Sequence, residues 1–172
     1  YPADRESEIL GLLGPWVDER WASQHALEIA QTDIQNLNGN DLFFAWFNKG
    51  TSHVAMQQYV DAANAYDQAF TVYAGWNVET GNRPFRMMWY QTGPYFAYYY
   101  AARYQDVISL ANTTLNDTIS TPTLEESLLW RGRAYYMAGD TQSAVDDYRA
   151  ALKVHVNWAP AVQALQELGL QP

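Results

Sequence analysis

Apolar residues recur along the chain at spacings of three and four in segments of helical length. No segment alternates apolar with polar long enough to make a strand, so the pattern predicts an all-α protein. Glycine and proline punctuate the segments at Gly14-Pro15, Gly39, Gly75, Gly81, Pro84, Gly93-Pro94, Pro122, Gly139, Pro160 and Gly169. A long helix is expected over 18–37, N-capped by Asp18, with Trp21, Ala26, Ile29, Ala30, Ile34 and Leu37 along one stripe. A shorter helix in "DRESEILGLLG" precedes it, with acidic residues in the first turn where they favour the helix dipole.

The helices repeat. In "DTQSAVDDYRAAL", Gly139 and Asp140 end one helix, Thr141 is expected to cap the next, and Ala144, Tyr148 and Ala151 follow at spacings of four and three; Gly132 and Tyr135 stand ahead of them. "QQYVDAANAYDQAF" has the same order in Ala62, Tyr66 and Ala69, preceded by Trp46, Gly50 and His53. Small residues at Gly50 and Gly132 on a first helix, and at Ala62 and Ala144 on a second, let two antiparallel backbones approach, while Tyr66 and Tyr148 fill the space beside them. One such hairpin cannot bury its apolar face alone and must stack on a neighbour.

This pattern resembles the tetratricopeptide repeat, a unit of about 34 residues. The matches are Trp46, Gly50, Ala62, Tyr66 and Ala69 in residues 43–76, and Leu128, Gly132, Tyr135, Gly139, Ala144, Tyr148 and Ala151 in 125–158. A third repeat is expected over 88–121 from "ARYQDVISLANTTL", with Tyr104 at the aromatic position. It is irregular: Tyr95 stands where Gly belongs, Val107 where Ala belongs, and Pro94 lies inside the first helix, which it should kink or begin afresh. The resemblance implies an α-solenoid of helix-turn-helix repeats. N-terminal helices occupy 1–42, an insertion loop 77–87, and a capping helix 159–172 that shields the last apolar face. A wider resemblance joins "FAWFNKGTS", "RMMWYQTGPYFAYYYAARYQDV" and "EESLLWRGRAYYMAGD" to the repeat region that follows a bacteriocin-processing-type, papain-like cysteine peptidase domain in bacterial secreted proteins. It implies a peptidase ahead of Tyr1, from which no catalytic residue can be carried over; separately, with no initiator Met and no basic stretch followed by an apolar one, "YPADRESEI" reads as an internal or processed start.

Composition narrows the function. At 172 residues, 48% hydrophobic and 17% charged, the chain can bury one core or one short repeat array. Its net charge of −9, with ten basic residues scattered singly, argues against nucleic acid and anionic membrane as partners. No apolar run approaches the roughly eighteen residues of a membrane span. The absence of Cys excludes disulfides, thiolate metal sites and a cysteine nucleophile, and the scarcity of Lys leans towards a secreted or surface protein. His25, His53 and His155 have no partner three or four residues away, so no metal or cofactor is expected. The acidic pairs Asp18-Glu19, Glu125-Glu126 and Asp146-Asp147 are sequence neighbours that diverge on a helix, and neither a phosphate loop nor a nucleophile elbow is present. The chain reads as a non-catalytic binding module.

In the family, first helices line the concave face. Carried over by register, the ligand-reading positions include Phe44, Phe47, Asn48 and Thr51, then Trp89, Phe96, Tyr99 and Tyr100, then Trp130, Arg133 and Tyr136. Trp89, Phe96, Tyr99 and Tyr100 are open to a groove or a core reading, whereas Tyr95, Tyr98 and Tyr104 are expected in the core. The family's carboxylate clamp uses several Lys and Asn, of which only Asn48 and Arg133 remain. The face offers aromatic area with hydroxyl handles, suited to a protein or peptide; a glycan, or the chain itself in a homo-oligomer or filament, are alternatives. Asn112-Thr113-Thr114 and Asn116-Asp117-Thr118 match the glycosylation acceptor pattern, which makes Asn112 and Asn116 candidate sites.

Overall fold

The computed structural model describes residues 6–80, 92–115 and 125–172, and side chains within 20–73, 92–115 and 125–172. Every regular element among them is an α-helix: α1 Glu6–Asn36, α2 Gly39–Ala55, α3 Tyr59–Thr80, α4 Gly93–Tyr100, α5 Tyr104–Leu115, α6 Glu125–Met137, α7 Thr141–Val154 and α8 Ala159–Glu167. The chain divides into two compact units, Tyr1–Gly81 and Asn82–Pro172.

In the N-terminal unit, α2 and α3 form an antiparallel hairpin and α1 packs on α2. At Gly50 there is no room for a side chain: a Cβ there would lie 2.7 Å from the Tyr66 ring. Tyr66 is fully buried, its ring 4.9 Å from that of Phe47, and its hydroxyl is 3.2 Å from Thr51 Oγ1. α1 differs from expectation. It is continuous from Glu6, so Asp18 lies inside it and does not cap it, and Gly14-Pro15 does not break it. A proline removes one helical hydrogen bond, but its fixed φ is itself helical. Of the apolar stripe only Ala30 is buried; Trp21 stacks on His25 and stays exposed, as do Ile29 and Leu37.

In the C-terminal unit, α4 packs on α5, α5 on α6, α6 on α7, and α8 closes against α6 and α7. Helical hairpins therefore stack on one another, and α8 covers the end of the stack with Ala161, Ala164 and Leu165. Gly132 repeats the arrangement at Gly50: a Cβ would meet Tyr148 Cε1 at 2.6 Å and the Ala144 carbonyl oxygen at 3.1 Å. The middle hairpin reverses it. In the repeat register Tyr95 takes the place that Gly50 and Gly132 hold, and Ala111 the place that Tyr66 and Tyr148 hold. Tyr95 and Ala111 are both buried, so the large ring comes from the first helix instead of the second. The Tyr95 hydroxyl lies 2.9 Å from Ser127 Oγ and donates to Thr114 Oγ1 at 3.3 Å, tying α4 to α5 and α6. Of the two outcomes open at Gly93-Pro94, the helix begins afresh there, with Pro94 in its first turn. Tyr98 is buried as expected, whereas Tyr104 is only half-buried.

Four turns share one closure. Gln57, Ala102, Gly139 and Gly169 have φ of 60°, 59°, 89° and 72°. In each case the next N–H donates back across the turn: Gln58 to His53 at 2.8 Å, Arg103 to Tyr98 at 2.8 Å, Asp140 to Tyr135 at 2.9 Å and Leu170 to Leu165 at 3.0 Å. Gln57 and Ala102 carry the strain of a left-handed side-chain-bearing residue that glycine avoids at the other two. The cap of α7 is Asp140 and not Thr141. Asp140 Oδ1 accepts from Ser143 N at 3.0 Å, and Oδ2 from Ser143 Oγ at 2.7 Å.

Gly132→Ala forces a methyl into the Tyr148 ring and the α7 backbone at once, and is expected to cost about 1–3 kcal/mol in urea unfolding. Burial pushes the phenols of Tyr66 and Tyr148 from an ordinary 10.0 up to about 12. The folded state thus holds both protons more tightly than the unfolded chain. Their contribution is complete below pH 10 and is lost as pH rises towards 12, so stability should fall across that window. Alkaline unfolding coincident with a tyrosinate absorbance titration is the check.

Candidate functional site

The first-helix residues of the C-terminal unit gather around Trp130. Phe96, Tyr99 and Tyr100 on α4 have ring centroids 4.6, 5.5 and 6.5 Å from the indole, and Tyr104 meets Tyr99 edge-on at 5.6 Å. Arg133, one turn along α6, lays its guanidinium over the Trp130 ring at 4.8 Å. It makes no hydrogen bond or ion pair among the described residues, and the Tyr99 hydroxyl makes no hydrogen bond there either. Helical spacing explains the cluster: Phe96 and Tyr99 to Tyr100 lie one turn apart on α4, as do Trp130 and Arg133 on α6, so both helices turn the same face to one seam.

Exposure grades the candidates. Trp130 is 2% exposed, so it is the floor of the cluster and not a surface contact as the register implied; Phe96, Tyr99 and Arg133 are half-buried, and Tyr100 and Tyr136 are 53% and 47% exposed. Met137, beside Tyr136, is as open as its neighbour. Exposure thus differs from residue to residue, and Trp89 and Asn116 lie outside the described residues.

The electrostatics of this face are mixed. Burial pushes the Tyr99 phenol up; Arg133 opposes this, and Tyr104, Tyr100 and the Glu167 carboxylate on α8 add to it. Burial, together with the neighbouring Glu125 charge, pushes the half-buried Glu126 carboxyl up, against the pull of Arg133. The Trp130 indole N–H is near enough to Glu126 to temper that shift, yet it closes no hydrogen bond of good geometry.

In the N-terminal unit the candidates fall differently. Phe47 is 1% exposed, wedged between Phe43 and Tyr66, and is a core residue: register fixes which way a side chain leaves its helix but not how much chain covers it. Phe44 is half-buried against Phe43. Asn48 and Thr51 line a cleft of about 310 Å³ with Ala26, Ile29, Ala30, Asp33 and Ser52, so what they face is α1.

One polar network escaped the sequence reading. Arg131 donates from Nε to Asp147 Oδ2 at 2.7 Å, from one terminal nitrogen to Asp147 Oδ1 at 2.6 Å, and from the other to Asn112 Oδ1 at 2.6 Å. It thereby fastens α5, α6 and α7 together behind the aromatic cluster, and the hydrogen bonds and charge of Asp147 hold its guanidinium above the usual range. Asn112 is half-buried and engaged in this network, a poor setting for a glycan. The available signal was the offset: Arg131 and Asp147 each stand one place before Gly132 and Tyr148.

Residues 126–155, from the second residue of α6 to the turn after α7, match the tetratricopeptide repeat family. This segment is a tetratricopeptide repeat. It contains Trp130, Arg133, Tyr136, Gly132 and Tyr148, and the all-helical architecture with adjacent helices packed together is consistent with an α-solenoid of such repeats. Tetratricopeptide repeats commonly act as protein-interaction scaffolds and are generally non-enzymatic, which supports a non-catalytic binding module. No curated protein matches the chain.

Arg131→Leu leaves Asp147 in the interior without its partner. The cost expected in urea unfolding is about 2–3 kcal/mol, below the ~3–5 of a fully buried pair because the Arg131 side chain remains 21% exposed.

Proposed function

We propose that the chain binds an extended segment of another protein, and that the face formed by α4 and α6 is the reader. On this reading the hairpins α2–α3, α4–α5 and α6–α7 are three repeats, and the last two supply the contact surface. The observation that carries it is the pairing of exposed aromatic edges with unused donors: Tyr100 and Tyr136 stand open to solvent, while Arg133 and the Tyr99 hydroxyl have no acceptor among the described residues. Aromatic side chains bury large area at small conformational cost, and free donors gain most from a ligand rich in acceptors. Backbone carbonyls of an extended peptide supply such acceptors, and an acidic side chain beside an apolar one suits Arg133 above Trp130. Trp130 supports the surface from beneath and holds Arg133 in place.

Peptides selected on the whole chain from a random displayed library provide the ligand. Tyr99→Ala and Arg133→Ala are each expected to weaken the selected peptide by about 1–3 kcal/mol, roughly tenfold to a hundredfold by calorimetry, with unchanged helical circular dichroism. Lys153→Ala, on the exposed flank of α7, should leave affinity unchanged. Undiminished affinity in both Tyr99→Ala and Arg133→Ala refutes this face as the reader.

A further inference from the structure

We propose that Asn38 is a site of spontaneous covalent modification, losing its side-chain amide through attack by the Gly39 backbone nitrogen. Asn38-Gly39 is the one Asn-Gly step in the sequence. It forms the turn from α1 into α2, and both residues are exposed. Asn38 occupies the N-cap position with φ −142° and ψ 173°, but its side chain makes no capping bond and is held by nothing else among the described residues. The Gly39 N–H is one of the unused donors at the start of α2. Gly39 has φ +54°, and an added Cβ would find no atom within 4 Å, so nothing packs there against the peptide; turning it to bring its nitrogen onto the Asn38 side-chain carbon costs the 3.3 Å hydrogen bond that the Asn38 carbonyl accepts from Leu42 N.

The balance is simple. The Gly39 nitrogen loses its proton and bonds to the Asn38 side-chain carbonyl carbon; the carbon–nitrogen bond of the amide breaks, and ammonia leaves, giving a five-membered cyclic imide. Water then opens the ring at either carbonyl, yielding aspartate or isoaspartate, with no change of oxidation state. Other asparagines lack one requirement or another. Asn36 donates from its side-chain nitrogen to the Thr32 carbonyl at 2.7 Å, and Asn157 is followed by the bulky Trp158. The outcome changes the structure locally: aspartate places a charge at the start of α2, where the dipole favours it, and isoaspartate adds one carbon to the main chain between α1 and α2.

The test is incubation of the whole chain in mildly alkaline buffer at physiological temperature, with peptide mapping by mass spectrometry over time. Asn38 should convert to the acid at least about tenfold faster than Asn36 or Asn157, since glycine alone leaves the attacking nitrogen unhindered. Two products of equal mass should separate, one of them a substrate for isoaspartyl methyltransferase labelling. Asn38→Gln, whose ring closure is slower, should remove both products while the rest of the map stays the same. Conversion of Asn38 no faster than that of Asn157, or a single product without the isoaspartyl label, overturns the proposal.

Discussion

Two tyrosine rings lie against bare glycine backbone, Tyr66 on Gly50 and Tyr148 on Gly132, at distances that leave no room for a single methyl group. That contact sets how closely the two helices of each hairpin can run. The alanines around it, Ala62 and Ala144 on the second helices, are fully buried for the same reason: at this separation nothing larger fits. The rest of each unit follows from the depth of this seam. Phe47 packs on Tyr66 from the next turn, and Val145 and Leu165 close around Tyr148.

The aromatic face of the C-terminal unit rests on the same constraint. Because α6 is held close to α7, Trp130 points away from that seam and into the one with α4, where Phe96 and Tyr99 receive it. Arg131 points the other way and anchors α6 to Asp147 and Asn112. Consecutive residues of one helix thus divide the labour: one is the floor of an open face, and the next is the bolt that holds that floor still. Such rigidity agrees with the proposed reading of this face, because side chains already fixed lose little freedom on binding.

Much of this was legible in the sequence. The shared spacing of Gly50 with Tyr66 and of Gly132 with Tyr148 carries the hairpin geometry directly, since only a small residue tolerates so near a ring. Gly93-Pro94 carries the fresh helix start. Other features were not legible, each for a physical reason. The passage of α1 through Pro15 was hidden because proline lowers helix stability without forbidding helical backbone. The depth of Phe47 and Trp130 depends on what neighbouring helices lay over them, which a register does not encode. The Arg131 network spans three helices, and the engagement of Asn112 in it is invisible to a tripeptide pattern.

With Tyr at 95 where the other two hairpins have Gly, and Ala at 111 where they have Tyr, the helices of this chain differ in shape at equivalent positions. A first helix bearing Tyr95 laid against a second helix bearing Tyr66 or Tyr148 would drive ring into ring, and a first helix bearing Gly50 or Gly132 laid against Ala111 would leave a void where a ring belongs. The middle hairpin is therefore keyed to itself. In a chain of helical hairpins that share a pattern, where pairing with the wrong neighbour is the characteristic hazard of folding, such a difference in shape penalises exchange of partners without adding a charge.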